Sequence, residues 1–187
     1  MDTSARKTLS VLVDNEAGVL SQIVRLFSGK GYNIDSLSLG ETHDAAITRI
    51  TIEVVVTDEQ IELIANQLRK QICVHSVKVL DESHSIRREL VLIKVLAQTS
   101  EARNQIIQIA NIFRASTIDV SISSITLAII GDETKVEAFQ NLLMEFGILE
   151  LVRTGMVALE RGRYTIDEQT KEKGEFDYGK NVLREGL

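Results

Sequence analysis

The feature that most limits how this chain can fold is an order of apolar patterns that occurs twice. Thr8 to Asp14 alternates, with Leu9, Val11 and Val13 on one side, at the period of a strand. Leu20, Ile23, Val24 and Phe27 then recur at helical spacing within a helix expected over 17–29, which Gly29 and Gly31 end. Strands are expected over Ile34–Leu39 and Ala46–Val56, with a turn at Glu41–Asp44 between them. Asp58 is placed to cap a helix carrying Ile61, Ile64, Ala65 and Leu68 inward, and Val74–Leu80 reads as a closing strand. The order is β-α-β-β-α-β, the split βαβ arrangement of a ferredoxin-like domain.

The same order follows a polar stretch without periodicity, Asp81–Arg88, that reads as a linker. Leu90–Leu96 is a strand, and Glu101–Phe113 a helix with Ile106, Ile109, Ala110 and Phe113 inward. Strands Ser116–Ser121 and Ser124–Ile130 precede a helix, Glu133–Phe146, that turns Val136, Phe139, Leu142, Leu143 and Phe146 inward. Ile148–Leu159 is the last strand. The letters repeat too: Ile34-Asp35-Ser36-Leu37-Ser38 resembles Ile118-Asp119-Val120-Ser121-Ile122, each following a helix that ends in Phe. The fold class expected is therefore α+β, with a first domain over 7–81, a linker over 82–89 and a second domain over 90–161. Residues 162–187 lack apolar periodicity, and a tail of this composition is expected to be disordered in isolation or to dock on a partner.

Composition removes several function classes. With 27 Asp and Glu against 21 Lys and Arg, a net charge of −6 argues against nucleic acid as a partner. The third strand, Arg49–Val54, carries none of the aromatic residues with which such a sheet stacks bases. The longest apolar runs are too short to span a bilayer, the first residues are polar, and the lone Cys73 cannot form an intrachain disulfide. A cytoplasmic protein is expected. His43, His75 and His84 have no metal-ligand spacing, no activated nucleophile stands out, and no Gly-rich phosphate loop occurs. The residues assemble no catalytic constellation, so no enzyme activity of its own is expected.

One stretch invites a ligand. Asp14-Asn15-Glu16-Ala17-Gly18-Val19-Leu20 joins the first strand to the first helix. A helix N-terminus has backbone N–H groups without partners and the positive end of the helix dipole, which together suit a small carboxylate. Asn15 adds an amide donor and acceptor, and Gly18 permits close approach to the backbone. Asn33, ahead of the second strand, supplies another amide, and the two can meet across a side-by-side dimer. Such a seat suits an α-amino acid, with Val13, Leu20, Ile34 and Leu37 as an aliphatic wall. The second copy has Gln98-Thr99-Ser100-Glu101 at the equivalent place and lacks the Asn-x-x-Gly.

The runs Leu9–Ser21, Leu26–Leu37, Arg87–Val95 and Val152–Leu159 resemble the small regulatory subunit family of acetolactate synthase, also called acetohydroxyacid synthase. The likeness spans about Lys7 to Gly162. It implies an N-terminal ACT domain, a module that binds amino acids, and a second ACT-like domain after it. It further implies a subunit without chemistry of its own, bound to a catalytic large subunit that carries thiamine diphosphate, magnesium and FAD. By the same resemblance, association is expected to raise the rate, and valine held between the ACT domains of a homodimer to inhibit. The positions matching the family's valine contacts are Asn15, Gly18 and Asn33, with Ala17, Val19, Leu20 and Ile34 as pocket neighbours. An amino-acid sensor serving another partner is the alternative. An independent enzyme needs a catalytic domain, and a transcription factor a DNA-reading element, that this sequence does not display.

Overall fold

A computed structural model describes residues 4–166. The first unit runs β1 (Ala5–Asp14), α1 (Val19–Ser28), β2 (Ser36–Glu41), β3 (Ile47–Val56), α2 (Asp58–Leu68) and β4 (Val74–Leu80). Its antiparallel sheet has the order β2-β3-β1-β4, so β2 and β4 are edges. The second unit runs β5 (Ser85–Leu96), α3 (Ser100–Phe113), β6 (Ser116–Val120), β7 (Ser124–Gly131), α4 (Glu133–Leu143) and β8 (Ile148–Arg153), in the order β6-β7-β5-β8. Each unit is ferredoxin-like, and among the described residues no helix is long and apolar enough to cross a membrane.

Each sheet buries one face under its two helices. Leu9, Val11 and Val13 of β1 meet Ile23 and Phe27 of α1 and Ile61, Ile64 and Leu68 of α2 in one aliphatic core. Val91, Ile93 and Val95 of β5 meet Ile106, Ala110, Val136, Phe139 and Leu143 in the other. Phe113 lies on Phe139 with ring centroids 5.3 Å apart. Two leucines lie on the flanks of their helices, and of these Leu142 is expected inward. In α1 the buried stripe is Val19-Ile23-Phe27, which leaves Leu20 36% exposed. In α4 it is Val136-Phe139-Leu143, and because neighbouring residues point about 100° apart, Leu142 is left 45% exposed.

Beside small shifts, such as the second strand expected over Ile34–Leu39 and found over Ser36–Glu41, three differences matter. Thr57, not Asp58, caps α2: its hydroxyl accepts from Gln60 N–H while the Gln60 side chain returns to Thr57 N–H, a reciprocal capping box. The polar stretch after β4 forms a turn only over 81–84, where Asp81 accepts from the Ser83 N–H at 2.7 Å. Its hydrogen bonds from Ser83 hold the Asp81 carboxyl below the usual carboxylate range. From Ser85 the chain is already in β5. Apolar periodicity is missing there because the alternating inward residues are the polar Ser85, Arg87 and Glu89, of which Arg87 pairs with Glu53 and Glu89 with Arg153. Burial pushes the Glu89 carboxyl up, against the lowering effect of Arg153 at 2.8 Å.

The third difference is the last strand. It breaks at 154–156, and a separate strand β9 (Val157–Glu160) pairs with the beginning of β5, Ser85–Arg88. Gly155 makes the break with φ +79°, and a Cβ on it would sit 2.9 Å from the Leu37 carbonyl oxygen. This β5–β9 ribbon lies on the face of the first sheet that the helices leave open. It buries Thr8, Ser10 and Leu12 of β1, so both faces of that strand are covered. Of the tail expected over 162–187, Ile166 is buried and its carbonyl accepts from the Ser76 hydroxyl at 2.8 Å. Residues 167–187 lie outside the described part.

Candidate functional site

The turn from β1 into α1 is built by Gly18. It is the helix N-cap at φ 90°, ψ −14°, a left-handed conformation that costs a glycine little, and a Cβ there would meet nothing within 4 Å. The other three α-helices of the described residues are capped by side chains: Thr57 on α2, Thr99 on α3 and Asp132 on α4. α1 has no side-chain cap hydrogen bond, and its first turn carries no acidic residue. No side chain therefore caps the positive end of its dipole, where the Val19 N–H donates to the Glu16 carbonyl at 3.3 Å.

Asn15 stands beside that end, exposed, with its amide already engaged. Its Nδ2 donates to the Ala45 carbonyl at 2.9 Å and to Glu41 Oε1 at 3.2 Å, and its Oδ1 accepts from the Thr48 hydroxyl at 3.0 Å. The side chain thus ties the β1–α1 turn to the β2–β3 hairpin, and Oδ1 keeps a second lone pair for a donor. Sequence reasoning missed Glu41, Ala45 and Thr48. They lie 26 to 33 residues along the chain, and only the hairpin register brings them to Asn15.

Asn33 does not meet Asn15 within one chain. Its Nδ2 donates to Asp35 Oδ1 at 3.0 Å, and the next strand begins opposite Glu53, whereas Asn15 adjoins Thr48. Those β3 positions are five residues apart, about 17 Å at the usual rise of a strand. Of the proposed neighbours, Ala17 and Leu20 are exposed beside Gly18, while Val13 and Val19 point into the core. Ile34 and Leu37 are partly buried at the Asn33 end. Asp14 pairs with His75 at 2.6 Å on the adjoining edge, and Cys73 is buried. No group of three or more His, Cys, Asp or Glu side chains converges among the described residues.

Comparison with known proteins bears on what this arrangement belongs to. A family described as "AHAS small subunit-like ACT domain" matches residues 9–76, and one described as "Small subunit of acetolactate synthase" matches residues 88–162. The acetolactate synthase small subunit of Aquifex aeolicus is 45% identical over 164 residues, 88% of this chain and 85% of its own length. The chain belongs to the acetolactate synthase small-subunit family. The family's protein from Mycobacterium bovis is also 45% identical, over 83% of this chain and 92% of its own. The crystal structure of the acetolactate synthase small subunit from Thermotoga maritima superposes with a TM-score of 0.80 at 36% identity, covering 86% of this chain and 99% of that one. The first match ends within β4 and the second begins within β5, so the first unit is the ACT domain.

Proposed function

We infer that this chain is the regulatory subunit of acetolactate synthase and makes the enzyme sensitive to valine. It has no chemistry of its own. Pyruvate condensation, with thiamine diphosphate, magnesium and FAD, belongs to a catalytic large subunit that this chain binds and activates in the cytoplasm. The observation that carries the reading is the end of α1 beside Asn15, begun by Gly18 without a side-chain cap, where α2, α3 and α4 each have one.

The seat is completed by a second copy. β2 is an edge strand, and two β2 edges paired antiparallel about a two-fold axis bring the beginning of one strand beside the end of the other. Asn33 of the partner subunit then approaches Asn15 and Gly18. The effector carboxylate lies at the N-terminus of α1, its ammonium donates to Asn15 Oδ1, and Leu20 and Ala17 face its side chain. Valine inhibits because it binds one arrangement of the dimer better than another, and the catalytic subunit responds to that difference.

Acetolactate formation by the matching catalytic subunit, with this chain added and valine titrated, tests the reading. A rise in rate on adding the chain, followed by a fall with valine, is expected. A rise without any valine response keeps the partner and removes the effector; no rise removes the partner.

A further inference from the structure

The two units meet through a charged seam. Glu53 of β3 is 3% exposed, accepts from the Thr8 hydroxyl at 3.3 Å, and pairs with Arg87 of β5 at 2.7 Å. Lys78 of β4 pairs with Glu160 of β9, which is 6% exposed, and also donates to the Thr165 carbonyl. Arg49 of β3 donates to the Ala158 carbonyl at 3.0 Å, and the Met156 N–H donates to the Ser36 hydroxyl at 2.8 Å. Ser10 Oγ, Ser85 Oγ and Arg87 Nε are buried in this region without a hydrogen-bond partner. Buried charges and orphaned polar atoms carry a desolvation cost that an apolar contact of the same shape avoids. The seam is thus poor as cement, and its directional bonds fix one placement of the ribbon on the sheet.

Its position relative to the effector seat is the second observation. Thr48 bonds Asn15, and the next residue of β3, Arg49, bonds Ala158. At the other half of the seat, Ser36 stands three residues beyond Asn33 and is bonded by Met156. Within one chain, the Asn15 half of one seat and the Asn33 half of the other therefore both adjoin one short segment, Met156 to Ala158, which belongs to the second unit.

We propose that the seam formed by Glu53–Arg87, Lys78–Glu160, Arg49–Ala158 and Ser36–Met156 couples effector occupancy of the first unit to the placement of the second. This rests on the valine reading above. An effector that shifts Asn15 or Asn33 displaces Thr48 and Ser36, and the ribbon must then follow or break its bonds. The linkage is a contiguous run of bonded groups with few alternatives, the kind of contact that switches between arrangements.

The paired substitution Glu53→Gln with Arg87→Met removes both charges, keeping the shape of Glu53 and the unbranched stem of Arg87. In calorimetry on the full-length chain, its valine Kd stays within about threefold of the unaltered chain. In the complex with the catalytic subunit, the factor by which valine lowers the rate falls at least about fivefold. Lys78→Met with Glu160→Gln, at a separate point of the seam, gives the same separation if the first pair fails to fold. Hydrogen exchange on the unaltered chain needs no variant, and valine must change protection in Val157–Glu160. Seam variants that bind valine and are inhibited as fully as the unaltered chain overturn the proposal, as does exchange in β9 that valine leaves unchanged. If the unaltered chain binds no valine, the effector reading falls and this proposal with it; binding with inhibition that ignores the seam removes the proposal alone.

Discussion

The two units share one strand order and differ at two places that decide their use. At the turn into the first helix, the second unit spends Thr99, whose hydroxyl accepts from the Ala102 N–H at 3.1 Å. The first unit has glycine there and no cap. On the open face of the sheet, the first unit presents Thr8, Ser10, Arg49, Glu53, Ser76 and Lys78 and is covered by the ribbon. The second presents Leu90, Leu92, Ile130 and Val152, each between 36% and 62% exposed. A common topology therefore fixes the cores but neither the helix end nor the back of the sheet. Those are set by single residues, a glycine for a threonine and charges for aliphatics.

Four substitutions break or sharpen this comparison. Gly18→Asp has the largest expected effect. It forces a side chain into a left-handed conformation, at roughly 1–2 kcal/mol, and sets a carboxylate where the effector's own would lie. Valine inhibition should disappear at any practical concentration while the chain still activates; inhibition at unaltered valine concentrations defeats the seat.

Asn15→Ala comes next. Loss of a hydrogen bond to a charged ligand, about 1.5–3 kcal/mol, should weaken valine binding about tenfold or more in calorimetry. Activation should persist, since Asn15 lies outside both cores.

Thr99→Ala tests the other unit. Losing its cap should cost about 1 kcal/mol of stability in urea unfolding and leave the half-inhibiting valine concentration unchanged. If Thr99→Ala moved the valine response as far as Asn15→Ala does, the division of labour between the units would be wrong.

Glu89→Gln is expected to act least and only through pH. Burial raises the Glu89 carboxyl above its ordinary value in the folded chain, so folding favours the protonated form. Relative to the glutamine variant, the unaltered chain should gain stability as pH falls from neutral through that raised value, the gain being complete below the ordinary carboxylate value. Denaturation of both chains at pH 7 and near 4 measures the difference, and a gap that narrows in the opposite direction refutes the sign.

Much of the fold was legible because a half-buried strand and an amphipathic helix each print their period in adjacent letters. Leu9, Val11 and Val13, and Ile61, Ile64, Ala65 and Leu68, were placed inward by spacing alone, and they are buried. The reading failed where burial is polar. Ser85, Arg87 and Glu89 have no apolar period to show, so the beginning of β5 read as a linker. Leu142 failed for the opposite reason: an apolar residue one step from a buried stripe need not be inside. The candidate site divided the same way. Asn15 and Gly18 stand out as a turn into a helix, while Glu41, Ala45 and Thr48 around Asn15 do not.

By itself, the sequence determined the two βαββαβ units, their cores and the glycine-led end of α1, because each depends on residues within a few positions of one another. Only the tertiary structure decided that β9 leaves β8 to pair with Ser85–Arg88, and that the ribbon lies on the first sheet. It also decided that Asn15 is held by the hairpin and that Asn33 stands at the far end of β3. These depend on register and on polar groups up to 120 residues apart meeting out of water, and no local period encodes such a meeting.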